Sequence, residues 1–299
     1  MALHVKSDTI ERYLKAAASF ATPLLLPDPR YDQFGARSHF LEKVMREYKR
    51  WEAMPNRREP VTIPMIQYMY QHRGNIDSIT HALYDWNVIG HYLGLRLSEW
   101  AQVKPDSHIP MAPDGLPFAF TFHDMVFFSH DKSRIVQRFN IALRNLRYIA
   151  TVQFRWRYQK NGDNGQLIDL ARDLNRSWMC PVLAAIRIRE RARKYNDTPN
   201  CPLAIAVKRK HCQLIYKFDI DHILQKTAKA VYSLTDPNDI KKFTTHSIRV
   251  GAAVSLHSAG KSGSYIKIRL RWRSDTFLLY LRNTTTLALQ HVAAINSVH

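Results

Sequence analysis

Acidic residues are in short supply in this chain: 25 Asp and Glu stand against 44 Lys and Arg over 299 residues, a formal charge of +19. Solubility needs far less, so the imbalance argues for a polyanionic partner. Nucleic acid comes first, with a solvated basic surface or anionic lipid as the competing readings. Long apolar runs are missing as well. No stretch approaches the ~18 to 20 apolar residues of a spanning helix, and the start from Met1 to Asp8 lacks the apolar core of a secretory signal. The expectation is a soluble, intracellular protein with no membrane partner. Cysteine is scarce: Cys180, Cys201 and Cys212 form an odd set without a C-x-x-C pair, which argues against a disulfide framework or a zinc ribbon. His211 beside Cys212 makes only half a metal site, so packing thiols and no metal are expected. Nor is there a Gly-rich loop of the Walker type, so nothing points to nucleotide hydrolysis, and no cofactor is expected.

What is present divides into two parts. Ile10, Tyr13, Leu14 and Ala17 share a helical stripe over residues 9–20, with Ser7, Asp8 and Thr9 available as caps. After the proline-bounded stretch Pro23 to Pro29, helical spacing resumes over 38–53 through Phe40, Leu41, Val44, Tyr48 and Trp51. Residues 1–54 therefore read as a small helical domain. The polar, basic stretch Pro55 to Pro60, which includes Arg57 and Arg58, reads as a linker, and 61–299 as a larger domain. Within that domain helices are expected over about 62–72, 76–92, 178–196 and inside 218–235. Residues 118–129 are aromatic and β-branched and read as one or more strands. Over 151–158, Thr151, Gln153, Arg155 and Arg157 alternate with Val152, Phe154, Trp156 and Tyr158, a turn-rich Asn-Gly-Asp-Asn-Gly follows, and Gln166 to Leu170 returns. This is a β-hairpin with Lys160 at its turn. The sum is a mainly α chain with a small antiparallel β-sheet or hairpin, class α+β.

Several residue types match the needs of phosphoryl transfer, which requires a nucleophile in line with the leaving oxygen, positive charge on the non-bridging oxygens and a proton for the departing alkoxide. Arg96 and Arg249 can each offer a planar fork of donors to phosphate. His246, three residues before Arg249, shares its helix face. Glu99, three residues after Arg96, can orient it. Gly251-Ala-Ala-Val allows close helix packing. Trp272 follows Arg249 by 23 residues and Tyr280 follows Trp272 by eight. Tyr280 is the nucleophile candidate; Tyr265 competes but precedes the tryptophan. The cations of the basic helix, Arg187 and Arg189 among them, meet phosphates or form a solvated face.

The ordered set Gly94-Leu-Arg96-Leu-Ser-Glu99, hairpin Lys160, His246-Ser-Ile-Arg249, Trp272 and Tyr280 resembles the active site of tyrosine recombinases of the phage-integrase type, over residues of about 59 to 299. The eight-residue step from Trp272 to Tyr280 is one shorter than is usual there, and one residue turns a helix position by about 100°. The 64-residue step from Arg96 to Lys160 also exceeds that of compact members, so 101–147 reads as an elaboration. Similar enlargement, and the wording Arg271-Trp272-Arg273-Ser274-Asp275-x-Phe277, resemble recombinases of eukaryotic crypton-like mobile elements.

The resemblance implies a two-domain clamp on double-stranded DNA, with residues 1–54 as the core-binding domain. It implies that Tyr280 forms a 3′-phosphotyrosyl link without metal or ATP, while Lys160 protonates the 5′-oxygen; Lys208 and Lys210 are weaker candidates for that lysine. DNA contacts are expected from Arg57, Arg58, Arg155, Arg157, Arg187, Arg189, Lys208, Arg271 and Arg273. Rejoining to a partner strand implies a homo-oligomer, dimer to tetramer, on DNA, and residues 284–298 are expected to form a docking helix. Site-specific recombination or integration is the leading function. Type IB topoisomerase-like relaxation, or an inactive recombinase-derived DNA-binding protein, are the alternatives. The setting would be the nucleus for a eukaryotic element and otherwise the cytoplasm or nucleoid.

Overall fold

The computed structural model describes residues 5–24, 26–52, 57–102, 108–135, 138–159, 162, 164–208, 211–281, 292 and 295. The chain divides into two compact units, Met1–Asn56 and Arg57–His299. The docking helix expected over 284–298 and the turn lysine Lys160 lie outside the described residues, apart from positions 292 and 295.

The first unit is a pair of helices, α1 (Ser7–Ala21) and α2 (His39–Arg50). Ser38 caps α2 by accepting from the Leu41 amide at 3.4 Å. Two helices can enclose only one line of contact, so Ala18 and Met45 are the unit's buried apolar side chains among the described residues. The expected stripes are accordingly shifted. Ile10, Leu14 and Ala18 make up the covered face of α1 and Leu41, Met45 and Tyr48 that of α2, while Tyr13, Phe40 and Trp51 stand exposed.

The second unit is built around a helix buried on all sides. It comprises α3 (Ile63–Gln71), α4 (Ile79–Leu93), α5 (Leu97–Trp100), β1 (Met125–Ser129), β2 (Ile149–Trp156), β3 (Gln166–Ala171), α6 (Pro181–Tyr195), β4 (Ile205–Lys208), β5 (His211–Leu214), α7 (Lys217–Tyr232), α8 (Pro237–Ile240), α9 (Thr245–Ser258), α10 (Gly263–Leu270) and α11 (Leu278–Leu281). Helix α4 is buried nearly all round, its polar side chains His81, Asp85, Asn87 and His91 included, and packs on α3, α6 and α9. The expected hairpin is β2 and β3, paired antiparallel with Phe154 opposite Ile168. Val152, Phe154 and Trp156 point into the core and Thr151, Gln153 and Arg155 away from it.

Two features differ from the sequence reading. Residues 118–124 are not strand: Thr121 and Asp124 close a capping box that turns Phe122–Asp124 into a 3₁₀ turn, and extended pairing starts only at Met125. Strand β1 then adds to the hairpin as a third, antiparallel strand. The short β4–β5 hairpin was not anticipated, because four-residue strands carry too little periodicity to register.

The close packing expected at Gly251 is real. A Cβ there would lie 2.1 Å from the carbonyl oxygen of Val61, whose own amide donates to the Ser247 carbonyl at 2.9 Å. Backbone cannot yield as a side chain can, so Gly251→Ala is expected to destabilise this unit by about 3 kcal/mol or more. Urea unfolding followed by tryptophan fluorescence checks this, since five of the six tryptophans lie beyond residue 57. An unchanged midpoint would contradict the packing. No helix among the described residues is long and apolar enough to cross a membrane.

Candidate active site

Four structural pieces converge on one spot. Helix α4 ends at Gly94, whose φ of 58° makes the left-handed turn that favours glycine. Arg96 follows as the N-cap of α5. The first turn of α9 carries His246 and Arg249 on one face, as their spacing requires, and is held by a capping box between Thr244 and Ser247. Helix α10 ends in a left-handed turn at Arg271, with φ 56°, and delivers Trp272. Finally, a 3₁₀ turn, Asp275–Phe277, runs into α11 and brings Tyr280. Ala252, Ala253, Ile266, Leu270, Phe277 and Leu281 form a small second core that fastens α10 and α11 onto α9.

The Tyr280 hydroxyl lies 3.1 Å from His246 Nε2. The two rings are 5.7 Å apart, and Trp272 completes a triangle at 6.4 Å from each. Arg249 lies over the Trp272 ring at 4.4 Å and donates to the Gly94 carbonyl and, at 3.1 Å, to the Arg271 carbonyl. Arg96 donates to Glu99 Oε1 at 3.1 Å and to the same Arg271 carbonyl at 3.3 Å. The site thus gathers Arg96, Glu99, His246, Arg249, Trp272 and Tyr280. The 3₁₀ turn, wound tighter than an α-turn, sets Tyr280 against His246 despite the short spacing. Tyr265, by contrast, is 41% exposed on α10, where its ring meets Lys261.

The electrostatics call for an anion. Burial, then the neighbouring Arg96 and Arg271, push the Arg249 pKa down to about 9. Burial likewise lowers Arg271 to about 10, against the opposing pull of Glu99. Among the described residues Glu99 is the one carboxylate within this group of three guanidiniums, pairing with Arg96 and Arg271, and a phosphate would add negative charge beside Arg249. Burial, with Arg249 and Arg58, lowers the His246 pKa, so its neutral ring is favoured and can accept the tyrosine proton.

A second histidine couples the unit's stability to pH. His91, buried on α4, has its pKa pushed down to about 4 by burial, and its Nε2 faces the Ser255 hydroxyl at 2.9 Å. A lowered folded-state pKa means that stability is complete above the unfolded value near 6.5 and is lost as pH falls towards 4. The loss is expected to be on the order of 3 kcal/mol. Urea melts at pH 7.5, 5.5 and 4.5 should show a flatter profile for His91→Gln than for the unaltered chain; parallel profiles would refute the assignment.

Of the expected DNA contacts, several are placed inside the fold. Asp85 is fully buried between Arg187 at 2.7 Å and Arg191 at 2.8 Å. Arg189, 1% exposed, pairs with Glu190 and donates to the Arg138 and Ile141 carbonyls. Arg157 pairs with buried Asp124 at 2.9 Å and with Asp114 at 3.3 Å. Arg271, 5% exposed, pairs with Glu99 at 2.8 Å. For Arg187, Arg157 and Arg271 the cause is the same: Asp85, Asp124 and Glu99 are carboxylates excluded from water and require a hydrogen-bonded counter-charge, whereas Arg189 is held by backbone carbonyls. The basic-helix reading of Arg187 and Arg189 is corrected accordingly, since both face the core or its edge. Arg155, Lys208 and Arg273 do point outward. Arg57 and Arg58, read as linker residues, are held on the second unit by the Leu279 and Lys241 carbonyls, next to Tyr280 and His246. Nothing in the sequence marked Asp85 or the burial of Arg271 except an acid isolated in an apolar helix and an arginine beside the candidate tryptophan.

Neither a protein-family model nor a curated protein sequence matches the chain. Solved structures do. The integrase of transposon Tn1549, in complex with transposon right-end DNA, is 13% identical, with a TM-score of 0.51 over 99% of this chain and 81% of that one. The same integrase bound to a circular-intermediate DNA is 12% identical, with a TM-score of 0.50 over 97% and 80%. At such identity the likeness speaks for architecture alone: the chain shares the α+β fold of these integrase structures.

Proposed function

We propose that this protein is a site-specific DNA recombinase that cuts and rejoins strands through a covalent link to Tyr280. The observation that carries the reading is the Tyr280 hydroxyl at 3.1 Å from His246, beside the buried guanidinium of Arg249, which lies over Trp272. His246 takes the phenolic proton as the Tyr280 oxygen attacks phosphorus. Arg96 and Arg249 stabilise the charge on the non-bridging oxygens. The O5′–phosphorus bond breaks, leaving a 3′-phosphotyrosine, and the 5′-oxygen receives a proton from Lys160 as general acid. The reverse attack by a 5′-hydroxyl of a partner strand reseals the backbone, so protomers assemble around two duplexes.

The excess of basic side chains supplies salt-dependent affinity for duplex DNA. The likeness to a transposon integrase supports work on a mobile element, with integration or excision as the outcome. Crypton-like ancestry, and with it a nuclear setting, rests on the enlargement over 101–147 and the Arg271 to Phe277 wording. The test is trapping on nicked duplexes in EDTA, read by denaturing gel and peptide mass. DNA attached to the peptide containing Tyr280 is the expected result. Binding without adduct across a broad duplex library would leave a recombinase-derived DNA-binding protein instead, and relaxation of supercoils without strand exchange would indicate topoisomerase chemistry.

A further inference from the structure

Arg271 occupies a position where an L-residue is strained. Its φ of 56° suits glycine, yet the chain places there a long cation that is 5% exposed. Such a choice calls for a reason in the side chain. The guanidinium lies over the Trp156 ring at 3.8 Å and donates to Glu99 Oε2 at 2.8 Å. That same oxygen accepts from the Arg96 amide at 2.8 Å, while Oε1 accepts from the Arg96 guanidinium. The left-handed turn meanwhile aims the Arg271 carbonyl at both Arg96 and Arg249, at 3.3 and 3.1 Å. One residue therefore touches every charged member of the cluster.

We propose that Arg271 is a positioning residue of the phosphate site: its carbonyl orients the guanidiniums of Arg96 and Arg249, and its side chain neutralises Glu99 so that both keep their charge for the scissile phosphate. This rests on the recombinase reading above. Without the Arg271 cation, Glu99 would cancel one of the two clamp charges. Arg96 would then face Glu99 without a second cation to share its charge.

The backbone and side-chain roles separate experimentally. Arg271→Gly keeps the left-handed turn and the carbonyl and removes the cation; Arg271→Gln removes the cation but leaves a side chain over Trp156, should the glycine variant unfold. Either is expected to slow adduct formation on nicked duplexes by about 30-fold or more, with DNA affinity within about threefold. Adding Glu99→Gln, which keeps an accepting oxygen but no charge, should recover about tenfold. A residue that merely packs would not be rescued in this way. Adduct formation at the unaltered rate in both single variants, or no recovery in the double variants, overturns the proposal. Calorimetric titration of the same full-length proteins with inorganic phosphate separates the two readings. If the unaltered chain forms no adduct on any duplex, the recombinase reading fails; phosphate affinity that falls in the single variants and returns in the double ones then supports the charge role of Arg271, and affinity that does not change overturns it.

Discussion

Tyr280→Phe is expected to abolish the covalent protein–DNA adduct while leaving the fold and DNA binding almost untouched. The substitution removes one oxygen and its 3.1 Å contact with His246. The ring keeps its place beside His246 and Trp272. Because that single hydrogen bond is only partly buried, stability should change by no more than about 1 kcal/mol. Affinity for duplex DNA comes from cations on phosphates and should stay within about threefold. The cleavage rate, by contrast, should drop by about 10⁴-fold or to nothing, since no other group can form the ester. Gel-shift titration and adduct trapping on one nicked duplex read both quantities. Persistence of the adduct in this variant, for example on Tyr265, would sink the assignment of the nucleophile.

Arg249→Ala should have the next largest effect, and on two fronts. Arg249 is 3% exposed and ties together the ends of α4 and α10 through the Gly94 and Arg271 carbonyls. Alanine leaves both acceptors without that donor and a void against Trp272, at a cost of about 2 to 4 kcal/mol of stability. Loss of a charged donor aimed at the transferring phosphate should slow adduct formation by a further ~10³-fold, measured below the temperature at which the variant melts. Arg249→Lys restores a charge but not the planar fork, so it should fold better than alanine and still cleave about 10²-fold slower than the unaltered chain. A lysine variant at full rate would mean that Arg249 serves the fold alone.

The parts of the site that were legible in the sequence depend on local geometry. His246 and Arg249 share a face because a helix repeats every 3.6 residues, and alternation placed Val152, Phe154 and Trp156 inward because a strand repeats every two. Gly94 and Gly251 stood where a left-handed turn and a close helix approach need them. The misreadings have a common origin too. Phe118 to Ser129 has strand-like composition throughout, yet Asp124 closes a turn on Thr121 that no pattern of hydrophobicity records. The stripe on α1 shifted because two helices can bury only one line of side chains, and the neighbour chooses the line.

By itself, then, the sequence determined the α+β class, the hairpin, the order of the candidate site residues and the basic character, all of which follow from periodicity, spacing and composition. Only the tertiary structure decided which arginines are available to a phosphate. Charge is additive along a chain, but burial is not: Glu99, Asp85 and Asp124 are carboxylates shut off from water, and each draws in arginines that composition counted as free. Arg271 was thereby turned from a surface contact into the centre of the cluster, and Tyr280 met His246 through a turn whose pitch no spacing rule contains.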